Sequence, residues 1–268
     1  MKIKLVWCLC ALVCLCALTG VAVAQQAPEV VGDVSANVDL QRFNPSPGPF
    51  GVFTLESSAT EPGVNISGGL IFNLAQAPLI LVQGDGSEFD AISTQAAGDL
   101  LVAVGFLDML EVSLDVPVYA INAVELDGQQ GGFALGDARL GGRVSLLDGR
   151  RAPVGLAFAG RLIVPTGDDT AFVSHGEVRS QVGVVVDKTV GPALVALNLS
   201  GLFQAENLFG PVALGSELRA GLGVQWALFD RQFFVGGELL GATSLDDVFA
   251  DGRTPVEGLL GVKWRATS

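Results

Sequence analysis

Fifteen ionisable residues share one phase of a two-residue alternation that runs through most of this chain. They are Asp99, Glu111, Asp115, Asp137, Glu177, Asp187, Glu217, Glu238 and Glu257 against Arg139, Arg143, Arg161, Arg179, Arg219 and Lys263. On strands one phase is one face. Opposed charges on one enclosed face can do two things. They can pair with each other and stiffen the walls, since a buried charge is tolerated only when partnered. Alternatively they can line a polar pore and set its ion preference. Neighbouring strands would set Asp115 beside Arg139 or Arg143, and Arg179 beside Glu177 or Arg161. The pairing reading is preferred, because small barrels fill their interiors with side chains.

Two other groupings could carry chemistry. His175, the single histidine, stands near Asp168, Asp169 and Glu177, and an Asp/His pair could activate water. No nucleophile motif or oxyanion signature accompanies it, so the chain is not expected to be an enzyme, and no catalytic residue is assigned. No phosphate loop, metal-ligand spacing or Gly-x-Ser-x-Gly motif occurs, and no cofactor or metal is expected. Asp85, Glu88, Asp90, Glu125, Asp127, Asp168, Asp169, Glu206, Asp246, Asp247 and Asp251 fall in long connections, whereas Arg150, Arg151, Lys188 and Arg231 fall in short ones. The acidic rim could hold divalent cations through hard oxygen ligands, alone or bridging lipopolysaccharide phosphates, although plain hydration is the simpler reading. A calcium titration that leaves the melting temperature unchanged would remove the idea.

The elements that must position these groups are strands. Alternation predicts twelve, over 50–57, 66–75, 78–83, 96–106, 109–118, 135–146, 153–164, 176–187, 192–203, 215–228, 232–243 and 254–264. The connections alternate short and long, as in outer-membrane barrels, where an even strand number returns both termini to one side. The phase opposite the charges is nearly continuous Leu, Val and Ile. In 215–228, Glu217, Arg219, Gly221, Gly223 and Gln225 oppose Leu218, Leu222, Val224, Trp226 and Leu228. The polar phase is mostly Gly, Ala and Ser with charges of both signs, not the coat a water-facing sheet carries. An arginine at the bilayer midplane on the lipid side would cost about 2–4 kcal/mol, so the five arginines are expected inside. A secreted soluble β-protein is the competing reading, since soluble sheets alternate too.

Composition agrees with a membrane barrel. Charged residues are 16% of the 268, and mean hydropathy is +0.51. Yet beyond residue 24 no apolar run approaches the roughly 20 residues of a membrane helix. Residues 1–24 read as a cleaved export signal, with Lys2 and Lys4, an apolar run from Leu5 to Leu18, and Ala22-Val23-Ala24 before Gln25. Cys8, Cys10, Cys14 and Cys16 all lie within it, so the mature chain is expected to be free of thiols. Without Lys2 and Lys4, 13 basic residues face 28 acidic ones, a net charge of −15, which argues against nucleic-acid binding. Residues 25–49, with Asn44-Pro45-Ser46-Pro47-Gly48-Pro49, read as an extended periplasmic arm, and 50–268 as the barrel.

From about Val38 onward the chain resembles the outer-membrane barrel found ahead of OmpA-like domains in some Gram-negative proteins. The residues that carry this are Asp39-Leu40-Gln41-Arg42-Phe43-Asn44-Pro45-Ser46-Pro47-Gly48 with Phe53-Thr54-Leu55-Glu56-Ser57. Pro78-Leu79-Ile80-Leu81, Gly105 to Glu111, Leu135 to Leu140 and Val164 to Asp168 add to it. Such proteins continue into an acidic linker and a peptidoglycan-binding domain; this sequence ends at Ser268 and is expected to lack that domain. Val256 to Trp264, ending in an aromatic, resembles the closing strand that the barrel-assembly machinery recognises. The expectation is therefore an all-β, up-and-down antiparallel transmembrane β-barrel of about 12 strands in the Gram-negative outer membrane. Its partners would be outer-membrane lipid, lipopolysaccharide and the assembly machinery. Its role would be structural, with a charged, largely filled lumen; the alternative is a porin-like channel for small solutes with a luminal Arg/acid filter.

Overall fold

The computed structural model describes residues 5–11, 38–39, 41–60, 63–82, 88–123, 132–169, 171–209, 212–249 and 254–266. Among them are fourteen strands and no helix: β1 Leu5–Ala11, β2 Asn65–Val82, β3 Glu88–Phe106, β4 Leu110–Ala123, β5 Gly132–Leu135, β6 Ala138–Leu147, β7 Gly155–Val164, β8 Arg179–Val190, β9 Ala193–Phe203, β10 Asn207–Phe209, β11 Val212–Leu214, β12 Glu217–Leu228, β13 Phe233–Ser244 and β14 Val256–Ala266. Ten long strands, β2-β3-β4-β6-β7-β8-β9-β12-β13-β14, follow round the sheet, each antiparallel to the next. β1, from the expected export signal, lies between β14 and β2, antiparallel to the first and parallel to the second. With it the pairings run round a β-barrel-like sheet. β5 continues β6 along β4, and β10 with β11 forms a separate hairpin between β9 and β12.

Four connections are short: 107–109, 148–154, 191–192 and 229–232, at the end where β2 begins and β14 finishes. We call this the turn end. The opposite, loop end carries the connections after β4, β7, β9 and β13, and the tall β2–β3 hairpin. Two short turns use left-handed backbone without glycine: Leu107 and Asp108 have φ 57° and 58°, and Phe229, Asp230 and Arg231 have φ 47°, 54° and 65°.

Sidedness follows the alternation. Leu197, Leu222 and Leu239 stand in register across β9, β12 and β13 and all face outward, exposed. The opposite phase of these strands is enclosed: Ala196, Gln225 and Glu238 are buried.

The wall departs from the predicted twelve strands: β1 stands in it where an export signal was expected, β3 begins at Glu88 rather than at 96, and two of the predicted strands fare differently. Residues 66–75 and 78–83 belong to a single strand, β2, which passes Pro78 by register shifts between Gln76 and Ile80. A bulge is where a strand can accept a residue with no N–H to donate. Residues 50–57 are not a strand. Val52 sits on one phase and Phe53 and Leu55 on the other, so no purely lipid-facing side exists, and Pro45, Pro47 and Pro49 restrict the approach. This segment lies inside the barrel instead. Residues 38–39 and 41–49, expected as an arm beyond the rim, lie inside with it.

Candidate functional site

The interior is occupied by residues 38–39 and 41–60 of the same chain. Asp39 is at the loop end, ion-paired to Arg179 at the start of β8 (2.9 Å). The arm then crosses the lumen. Gly48 lies against Glu111 and Arg143, and at the turn end the Pro49 carbonyl accepts from Arg265. Phe50 is there stacked by the guanidiniums of Arg150 (4.4 Å) and Arg265 (5.3 Å). The chain turns back through Val52, Phe53 and Leu55 to mid-barrel, descends again, and leaves through Thr60 and Gly63, which bond to Asp108. Val52, Phe53 and Leu55 form an apolar core with Leu194 and Ala196 of β9, with Phe43, Leu240 and Leu259 packed against it. Full burial of each large apolar side chain is worth about 1.5–3 kcal/mol. Gly221 and Gly223 of β12 make room: a Cβ on either would press on Leu55.

A buried backbone outside any sheet must find partners for its polar groups, and here the charged wall supplies them. The Glu238 carboxylate accepts the N–H groups of Phe53 (2.8 Å), Thr54 (3.0 Å) and Leu55 (3.1 Å) together with the Thr54 hydroxyl (2.6 Å). Successive N–H groups converging on one anion form a nest. Asn198 pairs with the Glu56 backbone in both directions, accepting at 2.8 Å and donating at 3.1 Å. Asp187 accepts from the Ser57 and Ser58 hydroxyls and from Ser58 N. On the carbonyl side, Lys263 donates to Gly51 and Val52, Arg143 to Ser57 and Ala59, Ser145 to Ser58 and Arg150 to Thr60. These partners come from β6, β8, β9, β13, β14 and the turn after β6.

The remaining charges pair with each other. Arg139 bridges Asp115 (2.6 Å), its cross-strand neighbour, and Asp99 (3.2 Å), all three buried. Arg143 also holds Glu111 (2.8 Å), again directly opposite. Arg161 meets Glu56 of the arm (3.3 Å). Arg42 reaches Glu257 (2.8 Å) and Glu217 (3.8 Å), and Glu217 holds Arg219 (2.8 Å). Arg179 pairs with Asp137 and Asp39, both at 2.9 Å, rather than with Glu177. Glu177 is the exception among the residues expected inside. It is exposed in the loop before β8, because the strand starts only at Arg179, after Gly176 turns the chain at φ 75°.

Asp137 falls in the break between β5 and β6, where its carboxylate takes the N–H groups of Gly167 and His175 (3.2 Å each) and so ties two loop segments to Arg179. His175 is buried, with Nε2 3.3 Å from the Ala205 carbonyl. Burial holds its imidazole below the ordinary 6.5, outweighing that carbonyl. Asp137 meets the histidine through its backbone, not as a catalytic pair. Asp168, Asp169, Glu206, Asp246 and Asp247 are exposed at the loop end. Asp85, Glu125, Asp127 and Asp251 lie outside the described residues, as do the side chains of Glu88 and Asp90. Among the described residues no three His, Cys, Asp or Glu converge to hold a metal.

Beside the arm a cavity of about 130 Å³ remains, lined by Arg42, Glu56, Arg161, Gln181, Asn198, Arg219 and Glu257 among others. The arm runs past it between Asp39 at the loop end and Thr60 at the turn end. Sequence reasoning did not find Asp39, Arg42, Glu56, Ser57, Ser58 or Asn198 as parts of this site. The signal available was the absence of a clean apolar phase in 50–57. No protein-family model matches this chain, and no curated protein does.

Proposed function

We propose that this protein is a Gram-negative outer-membrane β-barrel with a structural, envelope role, its lumen stoppered by its own N-terminal arm. The observation that carries the reading is the docking of the arm backbone onto Glu238, Asn198, Asp187, Lys263, Arg143 and Arg150. The charges act as a receptor for a peptide backbone rather than as an ion filter. The membrane setting is supported by the outer face. Soluble monomers rarely expose contiguous apolar patches above a few hundred Å², whereas here registered Leu and Val rows are exposed on successive strands. In lipid both edges of the sheet must be paired; here β1, from the expected export signal, fills the place between β14 and β2, so after cleavage those two strands would have to pair with each other. Outer-membrane lipid and lipopolysaccharide are the partners this setting implies. The arm motif from Asp39 and Trp264 near the end of β14 support kinship with the barrels that precede OmpA-like domains, and recognition by the assembly machinery.

The test is planar-bilayer conductance of the refolded mature chain. The intact protein is expected to be silent, and an Arg143→Ala/Glu238→Ala variant, folded but with the arm unclamped, is expected to conduct. Steady open-channel steps from the intact chain would favour the small-solute channel, for which the residual polar cavity would be the remnant path. A mature chain that stays folded and monomeric in plain buffer without detergent would sink the membrane setting itself.

A further inference from the structure

Four adjacent strands carry a belt of available hydrogen-bond donors along one side of the cavity beside the arm. Arg161 of β7 stands opposite Gln181 of β8, and Ser200 of β9 stands opposite Arg219 of β12. Gln181 Nε2 donates to the Ser200 hydroxyl (2.9 Å) and so joins the two halves. All four residues line the cavity of about 130 Å³, and the arm faces them with Arg42, Asn44 and Glu56.

A guanidinium carries several N–H donors in a planar fork. Among the described residues Arg161 donates to Glu56 alone (3.3 Å), and Arg219 donates from Nε to Glu217 (2.8 Å). The Ser200 hydroxyl, accepting from Gln181, keeps its own proton to donate. Acceptors are scarcer. Asn198 Oδ1 is taken by the Glu56 N–H. Among the described residues that line the cavity, the guanidiniums of Arg42, Arg161 and Arg219 face only the carboxylates of Glu56 and Glu257, while Glu217 belongs to the neighbouring loop-end recess. The lining therefore has an excess of positive charge and of donors, the complement of an oxyanion. Leu55, Leu240, Ala159 and Ala242 also line it, which suits a carbon body better than a bare inorganic ion. A cavity of about 150 Å³ holds benzene, so a ligand of roughly six heavy atoms fits. The cavity adjoins the loop-end recess, since Arg42, Asn44 and Arg219 line both.

We propose that this cavity binds a small organic acid, held at its carboxylate oxygens by Arg161, Ser200 and Arg219. Arg42 and Glu56 belong to the arm, so the site is complete only while the arm is docked, and an occupant favours the stoppered form over the open one. The assignment rests on the docked arm of the reading above and needs no membrane.

The test titrates malonate calorimetrically into the refolded mature protein in detergent, with ionic strength held constant by sodium chloride so that screening does not change. Saturable binding of malonate is expected, and none of malonamide, its uncharged counterpart. Arg161→Gln and Arg219→Gln should each weaken binding about tenfold or more, the loss that accompanies one hydrogen bond to a charged group. Ala159→Leu, which keeps both guanidiniums and fills the space, should abolish it. A folded protein that binds no malonate, or binds malonamide equally, overturns the proposal, as does an Ala159→Leu variant that binds like the native chain. Inorganic phosphate binding more tightly than malonate overturns the organic-acid assignment. A Val52→Cys thiol in the same preparation, buried while the arm is docked, separates the two kinds of failure. Absent binding with that thiol protected from maleimide counts against the site alone, whereas absent binding with the thiol freely labelled overturns the stopper and the site together.

Discussion

Glu238 clamps the arm more tightly than any other wall residue, and removing it yields a quantitative test of the plug. Its carboxylate receives three backbone N–H groups and one hydroxyl at 2.6–3.1 Å, and the residue is buried. A hydrogen bond to a charged group contributes about 1.5–3 kcal/mol. Four such bonds do not simply add, because desolvating the carboxylate opposes them. Removing one side of a buried charged contact costs about 3–5 kcal/mol in total. A Val52→Cys thiol, nearly isosteric and beside the clamp, is buried in the folded plug and reacts with maleimide only on opening. The ratio of its labelling rate to that of an exposed thiol therefore measures the opening equilibrium. At one decade per roughly 1.4 kcal/mol, Glu238→Ala should accelerate labelling about 10²- to 10³-fold or more. Glu238→Gln, which keeps one acceptor but turns an amide toward donors, should fall between. Fast labelling of Val52→Cys with Glu238 intact, or no acceleration in a folded Glu238→Ala variant, would refute the account.

Gly221→Ala should destabilise the refolded barrel by about 1–3 kcal/mol in a urea melt by overpacking, because the new methyl meets Leu55 and Leu240; adding Leu55→Ala should restore part of that loss. Arg139→Ala should cost about 3–5 kcal/mol by stranding two buried carboxylates, and the Arg139→Met/Asp99→Asn/Asp115→Asn triple variant should melt closer to the native protein than the single variant does. Because burial lowers the His175 pKa, the folded state favours the neutral ring. Its stability contribution is then complete above the ordinary 6.5 and declines as pH falls through that value toward the lowered one. The urea midpoint should drop on acidification across that window, and His175→Gln should flatten the drop.

What the sequence disclosed and withheld follows from distance along the chain. Asp115–Arg139 was within reach of pattern reading, because alternation fixes the phase of both residues and successive long strands pair even across the long connection after β4. Glu111–Arg143, which was not foreseen, follows from the same register. Outward placement of the Leu and Val rows followed in the same way. The partner of Arg179 did not, since Asp39 lies 140 residues away and outside every strand. Alternation also has no term for a segment whose backbone is satisfied by side chains. Residues 50–57 alternate well enough to resemble a strand, yet Glu238, Asn198 and Arg143 replace the neighbouring strand they would need. The left-handed Leu107-Asp108 turn carries neither Asn nor Gly, so its length located it and its residue types did not.

Tethering decides how a plug of this kind behaves. The arm is continuous with β2, so its effective concentration at the lumen is high and release is followed by redocking, not loss. Net docking of about 5.5 kcal/mol leaves about one molecule in 10⁴ open, which a bilayer recording would register as silence. Loss of Glu238 alone removes most of that margin, and the single variant should show brief, flickering openings rather than a steady level. Arg143 holds the Ser57 and Ala59 carbonyls on the opposite wall, so its removal together with Glu238 should convert the flicker to sustained current. A Glu238→Ala channel already open continuously would mean the other contacts hold almost nothing. An Arg143→Ala/Glu238→Ala variant that stays folded and silent would mean the lumen is closed by something other than residues 38–60.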